Sequence, residues 1–145
     1  GKYMTQKFIT NSPEETERLG RQISMSLEPG DVVAMYGDLG AGKTALVRGI
    51  MHGLGYEGDV TSPTFAIVNE YKGHGKQAAH FDMYRIGNED QLYSTGFYDY
   101  LDGRFIVLIE WSENIDWAIE DNWKRISIEG CADMPRSITL EEVDL

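Results

Sequence analysis

Gly37, Gly42, Lys43 and Thr44 stand in "YGDLGAGKTALV", residues 36–47, at the spacing of a glycine, four free positions and then Gly-Lys-Ser/Thr. A loop of this kind holds phosphate. Its glycines let the backbone wrap close around phosphate oxygens with several N–H groups turned inward. The helix that follows adds its positive N-terminal end. Lys43 is placed to reach the β- and γ-phosphates of a nucleotide, and Thr44 offers a hydroxyl to Mg²⁺. The candidate phosphate contacts are therefore Gly37, Asp38, Leu39, Gly40, Ala41, Gly42, Lys43, Thr44 and Ala45.

A phosphate loop works with a second acidic residue at the end of a neighbouring apolar strand. "FIVLIE" offers Glu110 in that place and "HFDMYR" offers Asp82, so both are candidates for holding Mg²⁺ or serving hydrolysis. Mg²⁺ keeps several waters and takes few protein ligands, which suits so small a donor set. The bland alternative for each is a solvated strand end. Arg85 is a candidate for balancing charge on a transferring phosphoryl group, against an ordinary surface ion pair. In "TSPTF", Pro63 stiffens a loop whose Thr64 is a candidate for sensing the γ-phosphate through the metal, against a simple capped turn. No two of His52, His74 and His80 have metal-ligand spacing, and all three read as structural or solvated. Trp117 and Trp123 read as packing, while Trp111 stands out because it follows Glu110.

These residues need elements to position them. "NSPEETERLGRQISMSL" carries a helix start: Ser12 caps, Pro13 suits the first helical position, and Glu14 and Glu15 favour the first turn. Leu19, Ile23 and Leu27 recur on one face, and Pro29-Gly30 predicts the end of that helix. "DVVAMYG" reads as a buried strand feeding the phosphate loop, and "KTALVRGIMHGLG" as the helix after it, ending near Gly53 or Gly55. "TFAIVNEYK" and "QAAHFDMYR" flank "GHGK" as a hairpin. "NEDQLYSTGFYDYLDG" predicts one or two short helices, "RFIVLIEW" a second apolar strand, and "SENIDWAIEDNW" a helical stretch. "KRISIEG" and "RSITLEEV" alternate as strands; the opening Tyr3–Thr10 reads only as a short apolar-bearing start. The sum is an α/β fold with a mixed β-sheet flanked by helices. With the phosphate loop in it, this is a P-loop NTPase-like three-layer arrangement expected to form a single domain over 1–145.

Bulk composition narrows the partners. The chain has 145 residues, 41% hydrophobic and 26% charged, as an ordinary globular protein does. No apolar run approaches a bilayer span and no basic-then-apolar segment opens the chain, so the expectation is a cytoplasmic protein without a membrane role. The single cysteine, Cys131, excludes an intrachain disulfide and suits a reducing compartment. Acidic residues outnumber basic ones 24 to 13, for a net charge of −11, and no Lys/Arg cluster occurs. Direct nucleic-acid binding is therefore not expected; if nucleic acid enters the biology, a partner holds it.

Taken together, "GDLGAGKT", "TSPTF", "HFDMYR" and "IEW", with "SPEETERLG" near the start, resemble the TsaE (YjeE) family. These are small ATPases of bacterial tRNA threonylcarbamoyladenosine synthesis, and the resemblance runs over nearly the whole chain. It implies ATP/ADP and Mg²⁺ as cofactors and the TsaD–TsaB pair as partners, with a TsaC-type enzyme supplying threonylcarbamoyl-adenylate. It further implies that hydrolysis resets that complex between turnovers. Carried over by motif, Gly40 to Thr44 bind ATP phosphates, Thr44 and Glu110 bind Mg²⁺, and Asp82 and Thr64 serve hydrolysis or a nucleotide switch. Trp111 matches the family's Glu-Trp pair. Two features depart from the pattern. The tip "KGHGK" matches no motif, and the last loop, "GCADMP", lacks the Gly-Arg associated with the adenine side in some members. Arg136 is the nearest substitute there, and Ser12, Pro13 and Thr16 are the candidates for adenine contacts.

Other classes compete with a partner-controlled ATPase. A small-molecule kinase needs a lid with arginines that closes over the phosphate and excludes water, whereas the arginines here are scattered. A GTPase would carry an Asn-Lys-x-Asp guanine signature, which does not occur. A nucleotide-gated binding module without useful turnover remains open at this point.

Overall fold

The computed structural model describes residues 2–37, 42–58, 60, 67–72, 75–131 and 133–144. Asp38, Leu39, Gly40 and Ala41 of the phosphate loop, Thr64 with the rest of "TSPTF", and His74 at the hairpin tip lie outside the described residues.

A seven-stranded sheet runs through the molecule: β1 (Lys2–Thr10), β2 (Val32–Tyr36), β3 (Val68–Tyr71), β4 (Ala78–Asp82), β5 (Ile106–Glu110), β6 (Lys124–Glu129) and β7 (Arg136–Asp144), in the spatial order β1-β7-β6-β2-β5-β4-β3. The middle strands are parallel: β2 pairs with both β5 and β6, and β4 pairs with β5. Both edges are antiparallel, β3 on β4 and β1 on β7 on β6. The mixed sheet and the hairpin match the sequence reading. The "VVAMY" and "IVLIE" runs are continuous rather than alternating because helices or turns cover both faces of those strands.

On one face lie α1 (Pro13–Ser24) and α2 (Lys43–Gly53), whose Leu19, Ile23, Leu46 and Ile50 pack with Val33, Met35, Leu108 and Ile126. On the other lie α3 (Glu89–Ser94) and two 3₁₀ segments, Phe97–Leu101 and Ser112–Ala118. There Phe81 meets Phe97 and Tyr100 edge-on, at 5.2 and 5.1 Å between ring centroids. Three layers result, as the pattern predicts.

Three local expectations change. Helix α1 stops at Ser24, not at Pro29-Gly30. The Ser24 and Ser26 hydroxyls donate to the carbonyls of Arg21 and Ile23, and Met25, Ser26 and Leu27 make i→i−3 bonds. The last turn tightens and Leu27 reaches the core from outside the helix. The opening segment is the nine-residue strand β1, aligned with β7 from Lys2↔Asp144 to Thr10↔Arg136. Residues 4–7 and Ile9 are exposed, and within 4–10 inward burial is confined to Phe8 and Thr10, so the alternation there is faint. The helical stretch after β5 covers only Ser112–Ala118, in 3₁₀ form and broken at Ile115, and not the whole of 112–123.

Glycines let α1 and α2 touch backbone to backbone. A Cβ on Gly49 would lie 2.0 Å from the Glu17 carbonyl oxygen. Gly49→Ala gains about 1 kcal/mol of helix propensity but forces the helices apart, at a cost of about 1–3 kcal/mol. Net destabilisation is expected, read as a lower urea midpoint; a higher midpoint would show that the contact gives way freely.

Candidate functional site

Strand β2 ends at Tyr36, and the Cα of Gly37 sits so near β6 that a Cβ there would come 2.6 Å from the Ile128 carbonyl oxygen. Gly42 opens α2 at φ 100°, ψ 11°, in the left-handed region where glycine carries no Cβ penalty. Its carbonyl accepts from the Leu46 N–H at 3.1 Å, but it brings no side chain to cap the helix. The N–H groups of the first turn are thus left to an incoming acceptor.

Lys43 follows. Its side chain is buried, with the residue only 4% exposed, and its Nζ has no hydrogen-bond partner among the described residues. The ammonium instead sits 4.3 Å above the centre of the Trp111 ring. A desolvated cation–π contact contributes about 2 kcal/mol, less than what an ammonium loses on leaving water. An anion is the group that completes this site, so the residues present fit a phosphate.

The carboxylates come from the other side by strand alternation. Ala78 and Leu108 face α1 and α2, while Ala79, Phe81 and Ile109 face the opposite layer. Period two therefore puts His80, Asp82 and Glu110 on the α2 face. Asp82 and Glu110 are register partners at the C-terminal ends of adjacent parallel strands. Glu110 is 5% exposed, and its Oε2 lies 2.6 Å from Nε2 of His80, itself 1% exposed. Asp82 is half-buried and accepts the Tyr84 N–H at 2.9 Å.

The strand exits are pinned. Met83 N–H donates to the Glu110 carbonyl, Asn114 Nδ2 donates to the carbonyls of Met83 and Tyr84, and Ser112 Oγ donates to that of Ile109. Trp111, between them, takes φ 59°, ψ 42°, a left-handed backbone rare outside glycine. That turn brings its ring onto Lys43 on one hand and against Tyr84, 4.9 Å between centroids, on the other.

A cavity of about 690 Å³ joins these groups, within the range of small-molecule sites. Gly42, Lys43, Thr44 and Ala45 line it, as do Asp82, Glu110 and Trp111. Ser12, Pro13, Thr16 and Arg136 line the same cavity, so segments near both ends of the chain reach the space beside Gly42 and Lys43. Two of these hydroxyls are already engaged. Ser12 Oγ accepts the Glu15 N–H, while Thr16 Oγ1 donates to the Ser12 carbonyl at 3.2 Å and lies 2.7 Å from Thr10 Oγ1. This wall contributes shape more than spare hydrogen bonds. Arg136 packs along Gly42 and donates to the Met134 carbonyl.

Arg85 lines a different cavity, with Ile86 and Gln91, and Gly37 lines neither. His52 is bonded to Glu17 at the α1–α2 contact, as a structural histidine. Trp123 is buried but Trp117 is half-exposed. His80 is the member that sequence reasoning passed over; the available signal was its place two residues before Asp82 on one strand. Among the described residues no three of His, Cys, Asp and Glu cluster as a self-sufficient metal cage. Thr44 with Glu110 or Asp82 fits instead a Mg²⁺ that takes most of its ligands from phosphate and water.

Comparisons with known proteins point to one family. The model of the family described as "Threonylcarbamoyl adenosine biosynthesis protein TsaE" matches residues 10–138. A Bacillus subtilis (strain 168) relative named tRNA threonylcarbamoyladenosine biosynthesis protein TsaE is 36% identical, over 94% of this chain and 85% of its own. A Treponema pallidum (strain Nichols) protein of the same name is 34% identical, over 92% of this chain and 98% of its own. The crystal structure of Bacillus subtilis YdiB matches with a TM-score of 0.81 at 31% identity, covering 99% of this chain and 89% of that one.

Burial, with the charge of Glu110 adding to it, raises the Asp82 carboxyl above its ordinary 3.8; the Tyr84 N–H, His80 and Lys43 pull the other way. The folded protein therefore binds the extra proton between 3.8 and the raised value, and stability falls as pH rises through that window. At neutral pH the penalty is present. Asp82→Asn removes it and keeps an oxygen for the Tyr84 N–H, so its melting temperature should exceed the wild type's at neutral pH. The gain should vanish below pH 3.8. Thermal denaturation at both pH values checks this, and a neutral-pH loss would contradict it.

Proposed function

The chain belongs to the TsaE family, and from that premise we propose that it binds and hydrolyses ATP in tRNA threonylcarbamoyladenosine synthesis, resetting or regulating a TsaD–TsaB pair. The observation that carries this reading is Lys43. It is a buried ammonium without an oxygen partner among the described residues, at the uncapped start of α2, facing a cavity that two carboxylates border.

In this reading Lys43 leaves Trp111 for the β- and γ-phosphates, and the first-turn N–H groups of α2 hold the remaining charge. Thr44 and Glu110 hold Mg²⁺, with Asp82 as the further carboxylate; when bound, the ion neutralises charge on the phosphate oxygens. Asp82 orients the attacking water, and Thr64 senses the γ-phosphate. Water attacks the γ-phosphorus, the bond to the β–γ bridging oxygen breaks, and ADP and phosphate leave. Ser12, Pro13, Thr16 and Arg136 form the adenine end. The net charge of −11 supports a protein that acts on a tRNA-modifying complex through its proteins rather than by gripping RNA. Among the described residues no helix is long and apolar enough to cross a membrane, and we place the protein in the cytoplasm, as a single domain over 1–145.

Phosphate release tests the reading. ATP turnover should be slow alone and faster with TsaD–TsaB; the absence of stimulation would count against a partner-controlled ATPase. ADP formed without free phosphate, and only with an added acceptor, would favour a small-molecule kinase. Lys43→Ala should weaken ATP binding by roughly ten- to a hundredfold, since a hydrogen bond to a charged group contributes about 1.5–3 kcal/mol. An unchanged dissociation constant in calorimetry would remove Lys43 from the site.

A further inference from the structure

We propose that His80 is a positioning residue for the reaction, fixing through Nε2–H which oxygen of Glu110 is turned from the cavity. The inference rests on the reading of Glu110 as the carboxylate that holds Mg²⁺.

Geometry carries it. His80 pairs in register with Leu108 and Asp82 with Glu110, so His80 is the diagonal neighbour of Glu110 on one face of two parallel strands. The two side chains are 1% and 6% exposed and meet at 2.6 Å through Nε2 and Oε2. The other ring nitrogen, Nδ1, is buried without a hydrogen-bond partner among the described residues. A histidine kept only for core packing has no need of a carboxylate, and a buried imidazole generally bonds through both nitrogens. Here the bonded nitrogen is the one that meets the carboxylate bordering the cavity.

The same geometry selects a tautomer. Nε2 must donate, because an ionised carboxylate only accepts. In a neutral ring Nδ1 is then the unprotonated nitrogen. The last torsion of a glutamate is broad and roughly two-fold. The His80 donor on Oε2 confines it, favouring one orientation of the carboxylate toward the cavity. Ligand-orienting partners of this kind are worth roughly 10- to 100-fold in metal affinity or activity.

The test compares wild type, His80→Leu and His80→Gln, the last keeping a donor near the Nε2 position. His80→Leu should lose roughly 10- to 100-fold in kcat and the Mg²⁺-dependent part of ATP affinity, while the Kd for ATP in EDTA stays within about twofold. His80→Gln should recover most of both. Unchanged kcat and Mg²⁺ dependence in a folded His80→Leu protein would overturn the proposal. So would a folded His80→Gln protein as defective as His80→Leu. Should His80→Leu fail to fold, long-range ¹H–¹⁵N spectra of the wild-type imidazoles decide without nucleotide. An Nε2-protonated His80 whose signals move in Glu110→Gln is expected, and a ring protonated at Nδ1 alone overturns the proposal. Failure of the ATPase reading shows separately, as a wild-type protein that hydrolyses no ATP while the His80–Glu110 coupling stays visible.

Discussion

A lysine ammonium withdrawn from water, with a tryptophan face and no oxygen partner among the described residues, is the constraint around which this molecule is arranged. Lys43 stands in the first turn of α2, beside the cavity. That helix is fixed by its glycine contact with α1 and by Leu46 and Ile50 in the core. The contact with Trp111 offsets only part of the lost hydration. The fold therefore holds a buried positive charge beside the cavity, where reduced hydration strengthens its attraction for an anion.

The acidic side is built by a different device and meets the same limit. Parallel pairing of β4 with β5 sets Asp82 beside Glu110, and alternation turns both toward α2. Two neighbouring carboxylates repel, and burial works against both charges. His80 compensates Glu110 with a hydrogen bond, while Asp82 receives the Tyr84 N–H and stays closer to neutral than an exposed aspartate. Just beyond, Trp111 holds a left-handed backbone that costs about 1–3 kcal/mol, a strain typical of functional sites. The bonds of Ser112 and Asn114 to the strand exits keep that turn in place. Stability is spent at this end of the sheet, and the two apolar cores on either face supply it.

Much of this was legible in the residues. The Gly-Lys-Thr spacing, the apolar runs before and beside it, and the carboxylates at strand ends are local patterns, and the cavity gathers most of them. What escaped needed contacts between distant segments. The α1 end depended on serine hydroxyls competing for carbonyls, and β1 on a partner at the far end of the chain. Arg85 stands near Asp82 in sequence, yet it lines another cavity because the chain turns after β4. His80 carried only its two-residue spacing from Asp82; its meaning comes from Glu110, thirty positions away and one strand over. The cap bond of Ser12 was readable in the sequence, but the bonds of Thr16 to the Ser12 carbonyl and to Thr10 were not.

The most direct measurement is a crystal structure with Mg²⁺ and a non-hydrolysable ATP analogue. The account predicts the β- and γ-phosphates at the N-terminus of α2, within hydrogen-bond reach of Lys43 Nζ. The ion should lie beside Thr44 and Glu110, with the lysine lifted from the Trp111 ring. An analogue bound with its phosphates away from Lys43, and the ammonium still resting on Trp111, would contradict it.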